Sequence, residues 1–295
     1  MEKINLLNEE QLNVFLSKEI KKILFIGGVD TGKTTLLKYI SNFLFKKGEN
    51  VFILDCDVGQ SHIGPPTTVG YAKLKEKIED FNLDADRFYF VGSVTPSNSI
   101  IEFIAGISIM NQFISKEKGK ILIDTTGYVK NRLAISLKIH KIEILTPDFV
   151  FLLEKEKELE EIERFLKFSG IKFTKIKVEN IPVKSMEERN IFRKNRFLQY
   201  FGNLKKINLN MDKVSIKITN LGGVYNVFEI KNLNLRGNLC GLKRSNLDYF
   251  CLGVIANMKN EWAEIFIPEK VNINNTDIKS ISISNYSILE IVSVE

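Results

Sequence analysis

Along the first two-thirds of the chain, apolar residues come in short, almost unbroken runs. Several runs are followed by a stretch where they recur three or four positions apart. Lys22–Gly27 (KILFIG) is the first run, and Leu36, Leu37, Ile40 and Leu44 then share one face of a helix expected over Lys33–Lys47. Asn50–Cys56, Arg87–Val91, Lys120–Asp124 and Asp148–Leu153 repeat the strand pattern, with Ile171–Val178 as a candidate sixth. Helical spacing covers Ser99–Ile114 and Lys155–Phe168 between them. Near-continuous apolar strands alternating with helices predict an α/β fold, a mostly parallel sheet covered on both faces. Right-handed crossovers then put a ligand outside the carboxyl ends of the strands. Beyond about Gly202 the runs become short and alternating (VSIKIT, VYNVFEI, YFCLGVI, AEIFIP, SISIS, ILEIVSV), separated by Gly, Asn and Pro. That texture predicts a small C-terminal all-β domain.

Composition narrows the class. With 44% hydrophobic and 26% charged residues in 295, the chain is neither disordered nor fibrous. The longest apolar run, Phe149–Leu153, is far too short to span a bilayer, so no membrane is expected as a partner. The polar start MEKINLLNEEQLNVF carries no signal segment, so an intracellular, cytoplasmic protein is expected. Cys56, Cys240 and Cys251 are too few and too scattered for a disulfide framework or a zinc site. The net charge of +6 is uneven: between Arg164 and Lys206 twelve Lys/Arg face three Glu. A basic block suits an anionic partner such as nucleic acid or phosphate, and equally a solvated surface.

The sharpest chemical signal is Gly27-Gly28-Val29-Asp30-Thr31-Gly32-Lys33-Thr34-Thr35, which fits G-x-x-x-x-G-K-[ST] between a strand and a helix. Glycines at this spacing let successive backbone N–H groups turn inward around phosphate oxygens, and the helix N-terminus adds partial positive charge. Residues Gly28 to Thr35 are the candidate nucleotide cradle. Lys33 is placed to reach the β- and γ-phosphates, and the Thr34 hydroxyl to bind Mg²⁺. The default nucleotide is ATP, since no N-K-x-D stands at a later strand end, where the chain reads FTKIKVEN.

Acidic residues leave two other strands. Asp55 and Asp57 share a face two positions apart; one can hold a metal-bound water while the other accepts a proton from an attacking hydroxyl. Asp124-Thr125-Thr126-Gly127-Tyr128 has the D-x-x-G form that senses a γ-phosphate in many P-loop proteins.

Together, GGVDTGKTT, LDCDVGQSHIGPPTTVG, FVGSVTPSNS, DTTGYVK and EERNIFRKNRFLQYFGN resemble the polynucleotide 5′-hydroxyl kinase family. That family includes RNA kinases of pre-mRNA cleavage and of ribosomal-RNA processing. The resemblance implies a P-loop NTPase in three parts: a short segment 1–20, a kinase domain 21–203 with an arginine-rich helical lid at about 185–201, and the β domain 204–295. It implies ATP and Mg²⁺ as cofactors and the 5′-hydroxyl ends of RNA, or of DNA, as acceptors. It names no protein partner. Asp57 becomes the general base and, with Thr34, a metal residue; Gln60, Thr125, Gly127 and Tyr128 become substrate residues. Lys33, Asp57, Arg189, Arg193 and Arg196 form the catalytic set, the three arginines lying at i, i+4 and i+7 on one helix face. Tyr128 stands where the family usually has Trp, and Ser93 where it usually has His. Two other readings of the triphosphate site stay open, a kinase for a small metabolite or mononucleotide and an NTP-driven switch or assembly factor.

Four residues attract less. His62 reads as a local hydrogen-bonder, His140 as a surface or packing residue on a helix, and Trp262 as core. Cys56 is expected to be a poor nucleophile because flanking carboxylates raise its pKa.

Overall fold

The apolar runs are strands with a different core against each face, in a computed structural model that describes residues 7–179, 181–230, 232–244, 249–274 and 277–291. Along β1 (Lys22–Gly27), Leu24 and Ile26 enter one core and Ile23 and Phe25 the other, as the two-residue period of a strand requires. β2 (Val51–Cys56), β5 (Lys120–Thr125), β6 (Phe149–Glu154) and β7 (Lys172–Lys177) complete a parallel sheet in the order β7-β6-β1-β5-β2. Helices α3 (Ile100–Ile114), α4 (Arg132–Leu145) and α5 (Glu160–Ser169) bury residues in one core. α2 (Lys33–Lys46) lies in the other, joined by α1 (Glu9–Leu16), whose Phe15 ring stacks on Phe151 at 4.8 Å. An Asn8–Gln11 capping box starts α1 within the segment read only as a short lead-in, of which residues 1–6 lie outside the described ones.

The parallel expectation is corrected at one edge. The 57–67 loop after β2 contains no crossover helix, so the chain returns antiparallel as β3 (Thr68–Lys73), and β4 (Arg87–Phe90) pairs antiparallel with β3.

After α6 (Met186–Phe201) come β8 (Leu204–Asn210), β9 (Ser215–Ile218), β10 (Asn238–Lys243), β11 (Tyr249–Lys259), β12 (Trp262–Pro268) and β13 (Ser280–Ser287). A third core, drawn from residues Ile207 to Ile283, lies among them. The sheet continues from β4 to β11 through the pair Phe88–Tyr249, with the Tyr249 ring edge-on to Tyr89 at 5.1 Å. Two expectations fail here. The run VYNVFEI is not a strand, because Asn226 and Glu229 cap each other and start the short helix α7 (Val227–Ile230). Trp262 is not core: it stands 46% exposed at the start of β12, beside a tight turn with Asn260 at φ 54°. Of ILEIVSV, residues 289–291 form a turn and 292–294 lie outside the described residues. Among the described residues no helix is long and apolar enough to cross a membrane.

Candidate active site

The loop from Gly27 to Gly32 is shaped by what its glycines avoid. A Cβ on Gly27 would lie 2.5 Å from both the Leu153 carbonyl and Thr31 Oγ1, and Gly32 holds a left-handed φ of 76°. Gly32 then caps α2 with no side-chain hydrogen bond, and the first turn of α2 carries no acid. Gly32 to Thr35 line a cavity, and among the described residues no side chain caps the N–H groups of that turn, as an anion site needs. Lys33 Nζ donates to the Gly28 carbonyl at 2.7 Å and to Thr31 Oγ1 at 3.5 Å, and burial lowers its pKa. A cavity of about 140 Å³ is lined by Val29 to Thr35, Asp57, Gln60, His62, Gly127, Ile181, Pro182, Lys184 and Arg189.

The paired carboxylates separate by partner. Asp55 accepts from the N–H groups of Asp57 (2.7 Å), His62 (2.6 Å) and Ile63 (3.1 Å) and from Ser61 Oγ (3.3 Å). Burial, with Asp124 and Asp57 close by, pushes its carboxyl up to about 8. Asp55 is the post around which the 57–63 loop is wound. Asp57 turns to the cavity: Oδ1 accepts from the Gly59 and Gln60 N–H groups, both at 3.1 Å, and among the described residues Oδ2 has no partner. Asp124, at the end of β5, accepts from Thr34 Oγ1 at 2.9 Å and from the Thr125 N–H at 2.8 Å, and burial raises its pKa. Sequence reasoning noted Asp124 in a motif without giving it a place in the site. The signal was there, an apolar run ending in a carboxylate beside the P-loop strand. Cys56 is inert as expected, chiefly because burial pushes its thiol up to about 12.

The substrate candidates divide as well. Gln60 and Gly127 line the cavity; Gln60 Nε2 also donates to the Arg189 carbonyl at 3.2 Å, tying the loop to α6. Thr125 is fully buried, donating to the Phe25 carbonyl at 2.8 Å, and does not reach the cavity. Tyr128 packs against the core, its hydroxyl accepting from Asn131 Nδ2 at 3.0 Å. His62 lines the cavity, with Nδ1 2.5 Å from the Phe81 carbonyl and its ring between Phe81 and Phe192 of α6. His140 sits on the surface against Glu143.

The three arginines do not act alike. Arg189 Nη2 meets Asp30 Oδ2 of the phosphate loop at 2.6 Å, and the Lys184 N–H joins the same oxygen at 3.1 Å. Arg193 Nη2 donates to Asn190 Oδ1, and the residue does not line the cavity. Arg196 corrects the expectation that all three face a phosphate. It is 5% exposed and donates to the carbonyls of Ser61, His62, Gly64 and Leu83.

Gly127 sets the approach of the 124–128 turn to the P-loop, since a Cβ there would come 2.7 Å from Val29 Cα and 2.8 Å from its N. Gly127→Ala is expected to lower stability by ~1–3 kcal/mol, the range for overpacking, and to weaken nucleotide binding. Thermal melts and an ATP titration check both; wild-type values would contradict this reading of the contact.

A family model described as mRNA cleavage and polyadenylation factor CLP1 P-loop matches residues 27–203. A polyribonucleotide 5′-hydroxyl-kinase of Pyrococcus furiosus is 39% identical over 205 residues, covering 69% of this chain and 57% of that protein. One of Methanocaldococcus jannaschii is 36% identical over 201 residues, covering 68% and 55%. The chain thus spans a little over half the length of these curated relatives. A chain in the solved structure of the wild-type Clp1p–Pcf11p complex superposes with a TM-score of 0.72 at 14% identity, covering 93% of this chain and 76% of that one. At that identity the likeness is one of fold.

Proposed function

This chain belongs to the CLP1 P-loop family of the mRNA cleavage and polyadenylation factor, and from that premise we propose that it is an ATP-dependent polynucleotide 5′-hydroxyl kinase acting on RNA ends. One observation carries the reading: a single cavity gathers the phosphate loop, a carboxylate oxygen on Asp57 that has no partner among the described residues, Gln60 from the same loop and Arg189 from α6. A nucleotide binder needs the first of these; transfer to a hydroxyl needs a base beside it.

The β- and γ-phosphates take the N–H groups at the start of α2, with Lys33 turning from the Gly28 carbonyl to meet them. Asp57 Oδ2 accepts the proton of the 5′-hydroxyl as that oxygen bonds to the γ-phosphorus and ADP leaves. Arg189, released from Asp30, neutralises charge on the transferring group. Thr34 Oγ1 and Asp124 Oδ2, 2.9 Å apart, are hard oxygen donors that suit Mg²⁺; Thr34, with Asp124 and Asp57 behind it, would hold the ion. It would supply positive charge against the triphosphate.

The test follows the label from γ-labelled ATP in the presence of 5′-hydroxyl RNA, 5′-hydroxyl DNA and mononucleosides. Label on the RNA end, faster for an oligonucleotide than for a mononucleoside, is the expected result. Transfer indifferent to chain length would favour a small-molecule kinase, and release as free phosphate a hydrolytic switch.

A further inference from the structure

α4 turns two lysines inward. Lys138 and Lys141 are 2% and 1% exposed, although Lys is almost never fully buried without a partner. They differ in what they meet. Lys138 Nζ is directed at three oxygens of one turn, Thr125 Oγ1 at 2.9 Å, Thr126 Oγ1 at 3.4 Å and the Thr126 carbonyl. Lys141 Nζ lies 4.8 Å over the Phe103 ring and has no hydrogen-bond partner among the described residues. Burial lowers the pKa of both. Taking a lysine amine out of water carries a desolvation cost, and at Lys138 the whole of that donor is directed at one turn, residues 125 and 126.

The bond to the Thr126 carbonyl has a geometric consequence. In a trans peptide the C=O and the following N–H point in opposite directions, and no cis bond occurs among the described residues. The Thr126 oxygen faces α4, so the Gly127 N–H faces the other way. Gly127 lines the cavity, and among the described residues its N–H has no hydrogen-bond partner. Thr125 Oγ1 accepts from Lys138 and donates its own hydrogen bond to the Phe25 carbonyl, two residues before the phosphate loop. α4, the end of β5 and β1 are thereby locked in one register. We propose that Lys138 is a positioning residue for phosphoryl transfer: by holding the Thr126 carbonyl, it aims the Gly127 N–H at an oxygen of the transferring γ-phosphoryl group. A donor fixed before the reaction, where charge develops, assists transfer more than it assists binding. The inference rests on the kinase reading for the acceptor, but not for the γ-phosphate itself.

The test compares Lys138→Met with Lys141→Met, which removes an equally buried amine with no hydrogen-bond partner among the described residues. In Lys138→Met, kcat is expected to fall ~10–100-fold, less than the loss of an oxyanion-type donor outright, with ADP affinity within about threefold of wild type. Lys141→Met should keep kcat within about twofold. Lys138→Gln, whose amide still donates toward Thr126, should fall between wild type and methionine, and it carries the test if the methionine variant does not fold. Wild-type kcat in either folded Lys138 variant overturns the proposal. So does an equal loss in Lys141→Met, or ADP affinity falling in step with kcat. Label appearing in water rather than on RNA overturns the kinase reading alone, since the Lys138 effect is then read from ATP consumption. No ATP consumption by the wild type overturns both.

Discussion

Replacing Asp57 by asparagine is expected to slow transfer to a 5′-hydroxyl end by ~10²–10⁴-fold, the range of general-base catalysis, with nucleotide affinity nearly unchanged. The substitution is selective because Asp57 uses only one oxygen for the fold. Oδ1 accepts from Gly59 and Gln60, and the asparagine oxygen can keep both bonds; what is lost is the second oxygen, facing the cavity. Asp55 gives the contrast. Both of its oxygens are taken by N–H and hydroxyl donors, so an amide there would turn its own N–H groups against them, and Asp55→Asn should damage folding before chemistry. Lys33→Ala gives the other contrast, losing nucleotide affinity along with turnover. Single-turnover transfer, ATP titration and a thermal melt separate the three. An unchanged rate in Asp57→Asn, or a rate that falls only as far as ATP affinity does, would remove Asp57 from the role of base.

How much of this could be read in the chain depends on what holds each element. The parallel strands were legible because burial on both faces leaves runs such as FVFLLE with no polar interruption. β3 was not, since TVGYAK carries a glycine and follows Pro-Pro-Thr; pairing with β2 makes it a strand. β8 (LKKINLN) hid for a related reason: Lys206 and Asn208 face outward while Ile207 and Leu209 enter the third core, and the half-buried Lys205 on their face breaks the apolar alternation. In the site, the phosphate loop and Asp57 could be read because backbone conformation and short spacing define them. The arginines could not be sorted. Spacing put all three on one helix face, yet Arg189 and Arg196 lie about 10 Å apart along the axis. At the first position the face meets Asp30, and at the last it meets the 61–64 loop. Thr125 and Lys138 were beyond reach for the same reason, since a hydrogen bond between them depends on how α4 packs under β5.

Arg196→Met is the variant expected to cost the most stability. The guanidinium donates through Nε to the Ser61 carbonyl at 3.2 Å, through Nη2 to the Gly64 carbonyl at 2.6 Å, and through Nη1 to Gln199 Oε1 at 2.6 Å. Methionine fills much of the same volume but leaves those carbonyls without a donor, at ~1–3 kcal/mol for each buried group. With two or more such groups the expected loss is ~2–5 kcal/mol, or about 5–15 °C in Tm for a chain of this size. Arg196→Lys should recover less than half, because a single ammonium cannot span carbonyls arranged around a planar fork. Since the same loop carries Asp57 and Gln60, turnover should fall too, but it should be regained as the assay temperature drops away from Tm. Arg189→Met should behave oppositely: its partner Asp30 stays within reach of the Lys184 N–H, so Tm should move little while kcat falls at every temperature. If Arg196→Met melts like wild type and loses turnover at all temperatures, then Arg196 leaves its carbonyls during the reaction and belongs with Arg189 at the phosphate.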